Sequence, residues 1–276
     1  MKVLMKSIFP EGMEANIDIP DELIADHIRH IECCIDNTIP QNLDKVPDDT
    51  IRFFVTTEGW RDYNKIILDN PQAYDYLLTQ YPELLTLPNS VKLIGNGSFV
   101  DPAPDLEKKF GVSIVMTNRN VAPGHPLRHE IYRRRKEIKI PFDIYRGTWN
   151  EFAPKEDTIQ MPLWPNKKWK VKVFDCMFHL CLEGFKNEYY FSEKLIDCLI
   201  TKTVPIYWGC TIIDEYFDTR GMIIVDSVDE IIQVCNSLTP ETYYSMLPFV
   251  EKNYELGLNH YRYEDILKEA MLKCLI

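Results

Sequence analysis

The chain has 276 residues and a formal net charge of −11, with 45% hydrophobic, 12% aromatic and 26% charged residues. That is the composition of a folded globular protein and excludes a disordered or fibrous one. The length suits one large domain or two compact ones, and the acidic balance argues against non-specific nucleic-acid binding, which needs a basic face.

In chain order, Val3–Ile8 reads as a strand. Glu22–Ile35 has helical spacing, with Leu23, Ile24, Ile28, Ile31 and Ile35 on one face. Ile51–Thr56 reads as a buried strand that stops at Thr57-Glu58-Gly59, with a helix across Tyr63–Leu68 and strands at Tyr74–Thr79 and Val91–Ile94. Asp101-Pro102-Ala103-Pro104-Asp105 has the look of a hinge. Beyond it the pattern predicts strands at Val112–Met116 and Phe142–Tyr145 around a helix at His125–Ile138. A helix end and a strand share Phe174–Leu182. Next come a helix at Glu193–Thr201, a strand at Val204–Trp208, a short helix at Ile212–Phe217 and a strand at Met222–Val225. A helix at Val228–Leu238 and a largely helical tail from Pro240 to Ile276 complete the series. Strands alternating with helices predict an α/β fold with two Rossmann-like domains facing one another, whose ligands sit beyond the carboxyl ends of the strands.

Nothing in the sequence has the roughly 20 consecutive apolar residues of a transmembrane helix. The best stretch, Leu195 to Pro205, contains Asp197 and Lys202. The start lacks the apolar region of a secretory signal. The eight cysteines include no Cys-x-x-Cys pair. They are read as reduced, buried side chains of a cytoplasmic protein.

The densest chemistry lies between Phe178 and Gly209. A strand ends at Glu183-Gly184, a polar aromatic loop follows, and a helix opens at Ser192-Glu193-Lys194. Ser192 suits an N-cap and Glu193 a first turn. Lys194 opposes the helix dipole there by about 0.3–1 kcal/mol, a penalty that a bound phosphate would reverse. The alternative is a solvated surface lysine. The same oddity recurs after Pro126, which places Arg128 and His129 in a first turn. Arg128 could grip a phosphate with two parallel hydrogen bonds, or pair with Glu130. Two such cations after strands jointly point to a diphosphate site. Glycine-rich dinucleotide and P-loop signatures are missing, as is an Asp-x-Asp metal pattern. Glu58, at the end of the strongest early strand, is either a general base or an ordinary loop acid, with Asp62 as the fallback. Trp60 could stack on a ligand or serve as packing. His125 and His129 read as structural histidines that could also assist phosphates.

The run Glu183-Gly184, then Tyr190-Phe191-Ser192-Glu193-Lys194, then Val204-Pro205-Ile206-Tyr207-Trp208-Gly209 resembles the donor-binding signature of the family 10 glycosyltransferases, the α-1,3/4-fucosyltransferases. The likeness extends weakly over residues 113–149 and through Tyr216–Val225, and matches the first hundred residues only in outline. It implies a two-domain GT-B fold of the soluble bacterial or viral type. Residues 1–105 would form the acceptor domain and 106–276 the donor domain, with the last helix packing back on the first. The implied activity is inverting transfer of a sugar, fucose from GDP-fucose, onto a glycan or glycoconjugate hydroxyl. Tyr190, Glu193 and Lys194 stand where the family contacts the donor, Arg128 where its diphosphate arginine lies, and Glu58 where its base lies. Glu183, which the resemblance also implies as donor-binding, matches the acid of the family's Phe-Glu-Asn element, whose asparagine is replaced here by Gly184. No cofactor or metal is expected to be obligatory, a divalent ion being at most stimulatory. The competing readings are a transferase using another nucleotide sugar and a catalytically silent sugar- or nucleotide-binding module.

Overall fold

The computed structural model describes residues 1–7, 17–35, 48–57, 63–147, 157–162 and 167–276. They form two compact units. The first comprises Met1–Asn96 together with Arg262–Ile276, and the second is Gly97–Tyr261. Each is built on its own parallel sheet.

In the first unit the strands β1 (Val3–Ser7), β2 (His30–Ile35), β3 (Thr50–Val55), β4 (Tyr76–Thr79) and β5 (Ser90–Lys92) lie side by side in chain order. Their side chains alternate between two cores, as the period of two in a strand requires. Ile31, Cys33, Ile35, Phe53, Val55 and Leu78 face one core, together with Leu267, Ala270 and Met271 from the last helix. Cys34, Phe54 and Leu77 face the other, with Ile67 of α1 (Tyr63–Asp69). The adjacent Cys33 and Cys34 thus point to opposite faces.

The helix expected over Glu22–Ile35 is not found. Asp21–Leu23 is a single 3-10 turn, and His30–Ile35 is the second strand of the sheet. The isoleucines that fit a helical face also fit alternation. A place between two parallel neighbours, β1 and β3, decides for the strand.

In the second unit the strands are β6 (Lys109–Met116), β7 (Phe142–Arg146), β8 (Ile159–Gln160), β9 (Cys176–Leu182), β10 (Val204–Trp208) and β11 (Ile223–Ile224). Their order across the sheet is β11-β10-β9-β6-β7-β8. The chain builds outward from β6 through β8, then returns to lay β9 on the other side of β6. Both central strands are largely apolar and buried: every residue of β9 is buried, and Val112, Ile114 and Met116 of β6 belong to the main core. Around them pack α2 (Gly124–Arg133), α3 (Lys167–Lys170), α4 (Glu193–Leu199), α5 (Val228–Ser237) and α6 (Pro240–Leu258). The remaining helix, α7 (Tyr263–Leu275), is the one that completes the first unit. Among the described residues no helix is long and apolar enough to cross a membrane.

Candidate functional site

The winding of the second sheet reverses between β6 and β9, and in open parallel sheets the crevice beyond the carboxyl ends at such a point is where ligands bind. The helix after β6 is α2 and the helix after β9 is α4, so both open toward this place. The approach of α2 is unusually close. Gly124 N donates to Gly184 O at 3.0 Å. A Cβ at Gly124 would overlap the Glu183 carbonyl oxygen and stand 3.1 Å from Trp208 Cζ3. Only glycine lets the helix come this near. His125 organises the turn that leads in, its Nδ1 accepting from Val121 N and Ala122 N at 3.1 Å each. That leaves the ring proton on Nε2.

Arg128, one turn into α2, is only 6% exposed. Its Nη2 donates to Leu182 O, at the end of β9. Glu130 pairs instead with Arg134, so the alternative partner considered for Arg128 is engaged elsewhere. From the other side Ser192 caps α4, its hydroxyl accepting from Lys194 N at 3.4 Å. Lys194 Nζ lies 3.0 Å from Ser192 Oγ, 3.1 Å from Glu193 Oε1 and 3.8 Å from Glu183 Oε2. Glu183 is fully buried. Its two oxygens accept from Ser192 N at 2.8 Å and Ser192 Oγ at 2.6 Å.

Four charged groups, Arg128, Glu183, Glu193 and Lys194, therefore meet at the switch point. Burial drives the Arg128 guanidinium down, with Glu183 opposing it, and arginine remains charged nevertheless. Burial would raise Glu193, but Lys194 and Lys170 outweigh it and hold the carboxyl at about 2. Burial raises Glu183 against the pull of Lys194. Lys194 is lowered by burial and raised, on balance, by Glu193 and Glu183. Burial and the charges of Arg128 and Lys194 push His125 down to about 4. At neutral pH it is an uncharged donor beside two cations. Two cations face two carboxylates, so the cluster is formally neutral, and an anion binding here would take Arg128 and Lys194 in competition with Glu183 and Glu193.

Tyr190 is 3% exposed and belongs to the loop between β9 and α4. Asn187 shapes that loop, its Oδ1 accepting from Tyr189 N at 2.8 Å and Tyr190 N at 2.7 Å. Thr211 N donates to Asn187 O at 2.9 Å, and Cys210 Sγ to Glu188 O at 2.9 Å, fastening the loop to the end of β10. Neither Asn187 nor Gly124 was singled out by sequence reasoning. An Asn three residues before a buried Tyr is a weak turn signal, and the need for Gly124 depends on β9, some sixty residues away.

Glu58, Asp62 and Trp60 lie outside the described residues. Among the described residues one group could offer three metal ligands, Asp143, Asp175 and Cys176. It sits at the amino ends of β7 and β9, and Lys109 Nζ bridges its acids at 2.7 and 3.2 Å.

The architecture, two parallel sheets flanked by helices in two Rossmann-like units, is that of GT-B proteins, and the chain has a family-level resemblance to the GT-B-fold fucosyltransferases. An alpha-(1,3)-fucosyltransferase, FucT of Helicobacter pylori, is 35% identical over 48 residues, which is 17% of this chain and 10% of that enzyme. The matched stretch thus spans a small part of the curated relative. A crystal structure of an alpha1,3-fucosyltransferase aligns with a TM-score of 0.57 at 17% identity, covering 89% of this chain and 77% of that one. The same enzyme class with GDP-fucose bound aligns at 0.53 and 18% identity over the same shares. A point mutant of S. aureus TarM, in complex with Fondaparinux, alpha-GlcNAc-glycerol and UDP, aligns at 0.61 and 16% identity, covering 89% of this chain and 55% of that one. No protein-family model matches the chain.

Proposed function

We propose that the protein is an inverting glycosyltransferase that moves fucose from GDP-fucose onto a glycan hydroxyl. The observation that carries this reading is the pairing of Arg128 and Lys194 at the switch point of the second sheet. The fucosyltransferase-like segment and the GDP-fucose-bound neighbour support it. The second unit holds the donor and the first, which α7 completes, the acceptor.

In this reading Arg128 and Lys194 bind the diphosphate and stabilise the charge that develops on it as the glycosidic bond breaks. Glu193, ionised at neutral pH, accepts from hydroxyls of the ribose or the sugar. Tyr190 supplies apolar packing. The acceptor oxygen attacks the anomeric carbon from the face opposite the diphosphate, and Glu58 takes its proton. A second reading, transfer from a different nucleotide sugar, has one observation in its favour: the UDP-bound neighbour aligns as well as the GDP-bound ones. The diphosphate cations do not discriminate between bases.

The test is a thermal-shift panel of GDP, UDP, ADP and CMP, followed by transfer from the matching sugar nucleotides. A shift with GDP alone, with release of GDP from GDP-fucose in the presence of glycans, is expected. A shift with UDP alone selects the second reading. Nucleotide binding without transfer to any glycan would mark a silent binding module.

A further inference from the structure

We propose that Glu183 is a positioning residue: its buried carboxylate orients the Ser192 hydroxyl, and that hydroxyl in turn holds the Lys194 ammonium in place for the anion. The proposal rests on the reading of Lys194 as a phosphate ligand. It departs from the expectation that Glu183 itself touches the donor.

The geometry commits every atom of this relay. A serine hydroxyl has one proton and two lone pairs. The Ser192 proton goes to Glu183 Oε2 at 2.6 Å. The lone pairs then face Lys194 Nζ at 3.0 Å and Lys194 N at 3.4 Å. Direct attraction between Glu183 and Lys194 acts over the longer distance of 3.8 Å. The other Glu183 oxygen takes Ser192 N at 2.8 Å, so the carboxylate is engaged on both sides.

Glu183 is also closed off from behind. Its N donates to Trp208 O at 2.9 Å, tying it to β10. A Cβ at Gly209 would come within 2.6 Å of Glu183 Cγ and 2.5 Å of Tyr207 Oη. With no exposed surface, the side chain meets a ligand only through Ser192 and Lys194. An ionised carboxylate is required here because it can only accept. Glutamine would present an NH2 group to Ser192 Oγ, reverse the hydroxyl and take the lone pair that now serves Lys194.

The test uses the full chain and two readouts. The first is GDP affinity. Glu183→Gln is expected to raise the GDP Kd about tenfold, the loss typical of a charged hydrogen bond. In a Lys194→Ala background the same change is expected to add less than about twofold. Ser192→Ala should behave like Glu183→Gln, and Ser192→Thr, which keeps the hydroxyl, should restore binding. The second readout needs no nucleotide: the rate at which acetic anhydride modifies Lys194 in the free protein, followed by peptide mass spectrometry. It is expected to rise in Glu183→Gln and Ser192→Ala, and to return to the wild-type rate in Ser192→Thr. Equal Glu183→Gln effects with and without Lys194 would overturn the proposal, because they mean direct contact with the nucleotide. If the wild type binds no GDP, the nucleotide reading falls, and the labelling still decides: an unchanged Lys194 rate overturns the relay and a raised one supports it. Should Glu183→Gln fail to fold, the Ser192→Ala and Ser192→Thr pair carries the same test.

Discussion

Replacing Gly124 by alanine adds one methyl group at the closest approach between α2 and the end of β9. The new Cβ would overlap the Glu183 carbonyl oxygen and press on Glu183 C and Trp208 Cζ3 at 3.1 Å each. Two of these contacts are backbone and cannot swing aside, so α2 must retreat by on the order of an ångström, as in an overpacked core. Overpacking costs about 1–3 kcal/mol, and loss of the Gly124 N to Gly184 O bond adds about 1 kcal/mol. The sum, about 2–4 kcal/mol, should lower the melting temperature by roughly 5–15 °C for a protein of this size. Arg128 moves with the helix and loses its hold on Leu182 O, so GDP affinity should drop about tenfold or more. Calorimetry and GDP titration on one preparation measure both effects. Gly147→Ala is the control: among the described residues its Cβ would meet only Met116 O, at 3.9 Å. A Gly124→Ala protein that melts with the control and binds GDP normally would refute the close-approach argument.

Three further outcomes are expected. Arg128→Ala and Lys194→Ala should each weaken GDP binding by about 1.5–3 kcal/mol; calorimetric titration with and without EDTA also asks whether a metal is needed, and full affinity in both variants would remove the diphosphate assignment. Glu58→Gln should slow transfer about 10²–10⁴-fold while GDP affinity holds, measured on the same sample; near-normal turnover would move the base to Asp62. Lys108 donates to Phe174 O and to Thr203 Oγ1 at 2.5 and 2.7 Å, and burial lowers it from 10.5 to about 7, with the Asp175 carboxylate opposing. Between those values the unfolded chain keeps a proton that the folded chain has shed, so stability relative to Lys108→Met should rise with pH across this window and level off below it. Urea melts of both proteins at several pH values check this, and parallel curves would contradict it.

Much of the second unit was legible because its signals are local. β9 and β10 are short apolar runs bounded by turns, and Ser192 before Glu193 announces a helix start that the structure places at Glu193. The alternation from Val112 to Val228 was enough to order the longer strands and helices there, but gave no sign of β8 or α3. The helix expected over Glu22–Ile35 failed for the opposite reason. His30–Ile35 fits both periods, and only the neighbouring strands β1 and β3, remote in sequence or unordered by it, choose between them. Within the site, Lys194 stood out as a cation in a helix's first turn and lies there; Arg128 was expected in a first turn too, but α2 opens at Gly124 and carries it one turn further in. Glu183 did not reveal its engagement with Ser192, because nothing in the sequence says which way a side chain turns at a strand's end. Asn187 and Gly124 were invisible because their roles are set by Thr211, Glu183 and Trp208, which reach them only through the sheet.

The placement of α7 has a consequence for how the protein is made. Its Leu267, Ala270 and Met271 are part of the same core as Ile31, Phe53 and Val55, although more than two hundred residues separate them. A ribosome releases the sheet of the first unit long before the helix that covers it. The second unit, continuous from Gly97 to Tyr261, is complete while α7 is still to come. Synthesis therefore inverts the usual order in which the leading part folds first: the trailing unit can close on its own, and the leading one must wait with an apolar face open. A nascent chain cut short before Leu267 would leave that apolar face uncovered.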